Sequence, residues 1–284
     1  GRAPALIVDM KAAIRYMRHN AKTVPGDVEK IITNGTSAGG ALSALAGATG
    51  NAKEYEPYLK AIGAAEEKDD IFAASCYCPI HNLEHADAAY EWLFQKEPIF
   101  HMKKFEMSPK GPKMIPVVGE LSEEQKKLSA ELKAEFPAYV NALGLKDENG
   151  EELTLEENGE GTFKDYVMSF VAASAQKEKE THDSKVRLSD LAVPGSDIEK
   201  QGYITFEENQ VKKIDADAYV KKITRMKPTP VFDALSLESP ENEEFGDDEV
   251  MARHFTEFAE KHSKVNGTKA DDQMIKLLNP TKFI

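Results

Sequence analysis

Residues Gly35-Thr36-Ser37-Ala38-Gly39 set a serine between two glycines, each two positions away. This G-x-S-x-G spacing suits a nucleophile: the serine occupies a tight strand-to-helix turn that lifts its hydroxyl clear of a sheet. Glycine is expected at both flanks, because a Cβ there would meet the neighbouring strand and helix. Ser37 is therefore the candidate nucleophile and Gly35 and Gly39 the glycines of its turn. The Ala38 amide N–H, at a helix N-terminus, is a candidate donor to an oxyanion. A glycine-rich phosphate-binding turn or a structural corner fits the same five residues.

The elements that must position this turn favour the nucleophile. Lys30-Ile31-Ile32-Thr33-Asn34 reads as a buried strand running into the motif, and the small residues and leucines of 41–48 as the helix leaving it. Upstream, residues 5–20 form an amphipathic pattern, with Leu6, Met10, Ala13, Ile14 and Met17 at helical spacing, ahead of a Pro25-Gly26-Asp27 turn. A second buried strand is predicted over 71–79 and a helix over 81–95. This alternation calls for a parallel α/β sheet.

From 96 to 226 the chain is more charged and is broken by Pro and Gly. Helices are predicted at 122–143 and 163–178, a polar, turn-rich tract at 146–161, and a hairpin over 202–214 around Glu207-Glu208-Asn209. A stretch of roughly 130 residues is too long for a loop and reads as a mostly helical lid or cap. Residues 227–284 return to the earlier style, with an amphipathic helix expected over 247–262 that sets Met251, His254, Phe255, Phe258 and Ala259 on one face. The organisation expected is core at 1–96, lid at 97–226 and core again at 227–284.

Composition excludes other classes. The 284 residues carry a formal charge of −13, against a nucleic-acid partner, and no apolar stretch approaches a membrane span. Cys76 and Cys78, separated by one tyrosine, read as two buried reduced thiols, since a disulfide between them would be strained. No metal and no organic cofactor is implied. The chain opens Gly1-Arg2-Ala3-Pro4 without a charged-then-apolar leader, which would ordinarily speak against a secretion signal; the opening itself reads as cut, so the compartment stays unknown, with the cytoplasm favoured.

A serine nucleophile needs a histidine base and an acid, following it in the order Ser, Asp or Glu, His. Of seven histidines, His19 precedes the motif, His81 and His85 open a helix, and His101 and His182 lie in the insertion. His254 and His262 fall on the predicted long helix. His254 is the best internal candidate, but a helix-face histidine is the favoured reading. Only one helix precedes Ser37, where this fold normally has several strands. The expectation is that both ends of the catalytic domain lie outside this chain, and that the remainder of the chain is a partner it requires.

The residues resemble bacterial tannases, serine esterases of the α/β-hydrolase fold. The resemblance is carried by Asp9-Met10-Lys11-Ala12-Ala13-Ile14-Arg15-Tyr16, by Ile32 through Leu45, by Tyr77-Cys78-Pro79-Ile80, and by Ala89-Tyr90-Glu91-Trp92. It continues at Thr224-Arg225-Met226-Lys227, Phe232-Asp233-Ala234-Leu235, Glu241-Asn242, Phe245-Gly246 and Asn279-Pro280, and is weak over 98–191. It implies hydrolysis of galloyl esters, a small-molecule aromatic substrate, beneath a large lid. It also implies that Ser37 is the nucleophile, that Ala38 donates to the oxyanion, and that Lys227 and Glu241 hold the phenolic hydroxyls of the ring. An ammonium donating and a carboxylate accepting suit adjacent hydroxyls, although both residues also read as ordinary surface charge. The family's catalytic aspartate and histidine would lie beyond Ile284. A feruloyl or short-chain carboxylesterase, or a non-catalytic hydrolase-like binding fragment, are the alternatives.

Overall fold

The computed structural model describes residues 2–108, 111–183 and 201–284. The chain forms two compact units, Gly1–Asp87 with Phe232–Ile284, and Ala88–Val231.

The first unit begins with helix α1 (Ala5–His19), whose buried face differs from the stripe expected. It comprises Ile7, Val8 and Ile14 together with Lys11, Arg15 and Arg18, whereas Leu6 is 45% exposed. The cations are tolerated inside because Asp69, also buried, receives them. Lys11 Nζ donates to Asp69 Oδ1 at 2.8 Å, and Arg15 donates to Oδ2 through Nε at 2.8 Å and Nη2 at 2.6 Å. Burial pushes the Asp69 carboxyl up, but the hydrogen bond and charge of Lys11, with the Asn51 N–H and Arg15, outweigh it and hold the carboxyl below its usual range.

Strand β1 (Ile32–Thr36) pairs in parallel with β2 (Ala73–Tyr77), Ile32 opposite Ala73 and Thr36 opposite Tyr77. Pairing thus runs two residues past the expected strand, to the residue before Ser37. Helix α2 (Ala38–Ala48) packs on both strands, and the short α3 (Glu56–Ala61) follows. Ile7, Val8, Leu45, Ala46, Tyr55, Leu59 and Leu277 close one core, with the Tyr55 hydroxyl donating to the Leu277 carbonyl at 2.6 Å. Cys76 is half-buried and Cys78 exposed, so the expected pair of buried thiols is corrected. Strand β2 ends at Tyr77, and Cys78 has already turned out of it with φ 38°.

Helix α4 (Leu83–Phe94) spans the division between the units. In the second unit, β3 (Ile99–Ser108) and β4 (Gly111–Glu120), ten residues each, pair antiparallel, a pairing that the sequence did not announce. Most of β4 is exposed, so no buried face imposes the alternation by which a strand is recognised. Helices α5 (Glu123–Ala142) and α6 (Thr162–Asp183) stand close to where they were expected. The Ser122 hydroxyl accepts the Gln125 N–H and the Gln125 side chain accepts the Ser122 N–H, a reciprocal cap for α5. The hairpin of β5 (Ile204–Glu207) and β6 (Gln210–Ile214) turns at Glu208 and Asn209, both at positive φ, before α7 (Ala216–Ile223). Arg225, 0% exposed, forks onto the equally buried Glu91 at 2.8 and 2.5 Å. Trp92 packs on Phe136 and Phe163.

The return to the first unit brings α8 (Pro240–Glu244), α9 (Glu257–Lys261) and α10 (Asp272–Leu277). The Asp87 carboxylate fastens it by accepting the Phe232 and Asp233 N–H groups at 3.0 and 2.9 Å. The long helix expected over 247–262 is replaced by a loop and the five-residue α9. Carboxylates take the backbone donors a helix would need. Asp247 accepts the N–H of Glu249 and Val250, and Asp233 those of Phe255 and Thr256, while His254 bridges to Lys269.

Candidate active site

Ser37 stands between the last residue of β1 and the first of α2, at φ 56° and ψ −121°. That conformation is costly for a residue with a Cβ and persists only where its surroundings impose it. They do so here through the backbone: the Ser37 N–H donates to the Tyr77 carbonyl at 3.0 Å, and the Ser37 carbonyl accepts the Ala41 N–H at 3.0 Å, opening α2. The side chain is thereby presented on the exposed side of the turn. Ala38 is the first residue of α2, so its N–H is one of the first-turn donors that have no acceptor within the helix.

The glycine requirement falls partly elsewhere than expected. A Cβ on Gly35 would lie 2.1 Å from the Gly39 carbonyl oxygen, and one on Gly40 2.7 Å from that of Tyr77. A Cβ on Gly39 meets nothing within 4 Å. The reading of Gly39 as sterically obligatory is corrected, because its Cα faces outward from the turn; Gly40 is the second glycine the packing needs.

Ser37, Ala38 and Gly39 line a cavity of about 390 Å³ with Leu42, Ile80, Glu241 and Glu244. Glu241 is on the first turn of α8, and its Oε2 is buried without a hydrogen-bond partner. Burial pushes the Glu244 carboxyl above its usual range, and the neighbouring charge of Glu241 adds to this. Such a cavity, apolar with an exposed hydroxyl at one side and an unpaired carboxylate oxygen at another, suits a small molecule with both an electrophilic centre and hydroxyl donors. Lys227 belongs to the other unit, where it is exposed and follows Met226, whose N–H donates to the Tyr90 hydroxyl at 2.8 Å. That unit has its own smaller cavity of about 50 Å³, bordered by Trp92, Lys96, Lys164 and Asp217. Lys96 is paired there with Asp217 and Lys164 with Glu160, and no serine lines it.

His254 has a partner set that sequence reasoning missed. It is 0% exposed, with Nδ1 2.7 Å from Asp233 Oδ1 and Nε2 2.9 Å from Ser263 Oγ. It is a loop residue held by an acid, not a helix-face histidine, and its acid precedes it in the chain. The signal lay in the pair Phe232-Asp233 and Arg253-His254, but only the fold joins them. His182 lies where no side chain is described. Among the described residues no cluster of His, Cys, Asp and Glu is disposed to hold a metal ion, and no helix is long and apolar enough to cross a membrane.

A parallel strand pair, a strained serine at the strand–helix turn and a helix packed over both strands define the class: an α/β-hydrolase-type fold. Comparison with known proteins narrows this. The family model designated BD-FAE matches residues 1–90. Esterase LipQ of Mycobacterium tuberculosis (strain ATCC 25618 / H37Rv) is 33% identical over 90 residues, 32% of this chain and 20% of its own. The crystal structure of tannase from Lactobacillus plantarum is similar over 100% of this chain, with 48% identity and a TM-score of 0.91. A tannin acyl hydrolase solved in complex with ethyl gallate gives 47% identity and 0.87, again over the whole chain. Throughout its length, then, the chain is similar to bacterial tannases. It spans 59% and 57% of those two chains.

Proposed function

We propose that the protein bearing this chain is a serine ester hydrolase acting on galloyl and related hydroxybenzoate esters. The observation that carries the reading is that Ser37, strained at its turn, and Glu241, with an unpartnered buried oxygen, line the same cavity. On this reading the Ser37 hydroxyl attacks the ester carbonyl while a histidine takes its proton. The Ala38 N–H supports the tetrahedral oxyanion, the alcohol leaves, and water releases the acid from the acyl-enzyme. Glu241 is read as accepting from the phenolic hydroxyls and Lys227 as donating to them, each helping to orient the carbonyl for attack. We read the inserted unit as the lid. The buried His254 is not that base, since its ring nitrogens face Asp233 and Ser263 rather than Ser37.

Similarity to a tannase bound to ethyl gallate and to an esterase supports ester chemistry of this kind. The test is hydrolysis of methyl gallate, methyl ferulate and p-nitrophenyl butyrate by the parent protein, with Ser37→Ala as control. Preference for methyl gallate, abolished by the substitution, is expected. Activity confined to the other two esters would retain the serine mechanism and reject the galloyl pocket. Inactivity on all three would favour a binding protein.

A further inference from the structure

Helix α8 carries Glu241 to the cavity, yet five residues make too short a helix to hold itself in water. Its anchor is the adjacent residue. Asn242 is 0% exposed and all of its side-chain polar capacity is used inside the protein. Its Nδ2 donates to Asp233 Oδ1 at 2.8 Å and to the Arg253 carbonyl at 3.0 Å. Its Oδ1 accepts from the Ser239 hydroxyl at 2.7 Å and the Ala234 N–H at 3.1 Å.

Asp233 is itself held from several directions. Its Oδ2 accepts the Phe255 and Thr256 N–H groups and the Thr256 hydroxyl, at 2.9, 2.9 and 2.8 Å. Its Oδ1 takes His254 Nδ1 at 2.7 Å beside Asn242. A carboxylate only accepts, so Nδ1–H donates to Asp233, while Nε2 lies beside the Ser263 hydroxyl at 2.9 Å. The Ser263–His254–Asp233 row therefore has the order of a hydrolytic triad. It is not placed to work as one: His254 is fully buried, and Ser263 Oγ already accepts the Gly267 N–H at 2.8 Å. A second hydrolytic centre is excluded in favour of a brace.

We infer that Asn242, Asp233 and His254 are positioning residues for ring recognition, a buried brace that fixes α8 so that the Glu241 carboxylate meets the phenolic hydroxyls of the acyl group. The inference rests on the role proposed for Glu241. It makes selectivity for hydroxylated rings depend on residues that touch no substrate.

The experiment measures KM and kcat of the full-length protein on methyl gallate and methyl benzoate for Asn242→Ala, Glu241→Gln and the double variant, with circular dichroism and melting to establish folding. Asn242→Ala is expected to raise KM for methyl gallate about tenfold, leave that for methyl benzoate within about twofold, and add little to Glu241→Gln in the double variant. If Glu241→Gln is selective for gallate while Asn242→Ala weakens both esters equally, or the two effects add fully, the brace is wrong and Glu241 stands. If Glu241→Gln itself affects both esters alike, the ring-binding role fails and the brace with it. Should Asn242→Ala not fold, Ser263→Ala removes only the outer end of the brace and is read in the same way at smaller amplitude. Loss of all hydrolysis in a folded Ser263→Ala protein would overturn the assignment and make the row catalytic.

Discussion

A Cβ placed on Gly35 falls 2.1 Å from the carbonyl oxygen of Gly39, so strand β1 and the head of α2 touch backbone to backbone directly beneath Ser37. Gly35→Ala must therefore push the two elements apart, at a cost of roughly 1–3 kcal/mol. Gly40→Ala faces the Tyr77 carbonyl in the same way. Gly39→Ala, by contrast, has open space. Thermal midpoints of the three variants should rank Gly39→Ala nearest the parent, with the other two clearly lower; equal losses at all three would refute this packing.

Strain at Ser37 gives a second expectation. Ser37→Ala keeps a Cβ at φ 56° and should be about as stable as the parent, whereas Ser37→Gly should gain about 1 kcal/mol or more. Both should lose ester hydrolysis. Chemical denaturation of the two variants decides the matter, and a Ser37→Gly protein no more stable than Ser37→Ala would contradict a strained turn.

How much of this was legible beforehand depends on where the forces come from. The strand–turn–helix around Ser37 could be read because its determinants are adjacent in sequence, and the Glu208-Asn209 turn for the same reason. The charged face of α1 could not, since Lys11 and Arg15 are buried by Asp69, more than fifty positions away. The helix expected over 247–262 failed similarly: its apolar spacing was helical, but Asp233 and Asp247 captured the backbone donors. The β3–β4 pairing escaped notice because most of β4 has no buried face to leave a period in the sequence. Of the candidate site, Ser37 and Glu241 line one cavity of the first unit, while Lys227 belongs to the second.

Buried charge around Asp69 sets an acid limit on the first unit. Its carboxyl is held below the usual range when folded, so its contribution is present above the unfolded value of about 3.9 and is lost as pH falls through the lower folded value. Melting temperatures between pH 6 and pH 2 should therefore fall more steeply for the parent than for Asp69→Asn. Parallel slopes would show that the Lys11 and Arg15 contacts do not favour the charged carboxylate.

The second unit has a comparable weak point at Glu91 and Arg225, both 0% exposed. Arg225→Met leaves the Glu91 carboxylate buried without its cation and should cost about 3–5 kcal/mol, of which the Glu91→Leu/Arg225→Met double variant should recover a large part. Denaturant titration measures both. A double variant less stable than the single would mean that the pair contributes more than it costs to bury.

The proposed role of Ser37 as nucleophile is decided by treating the parent protein with phenylmethylsulfonyl fluoride and mapping the adduct by peptide mass spectrometry. The expected result is one sulfonyl group, on the peptide containing Ser37, accumulating in step with loss of ester hydrolysis and absent from Ser37→Ala. Modification of a different serine in step with that loss, or undiminished hydrolysis by Ser37→Ala, would contradict it.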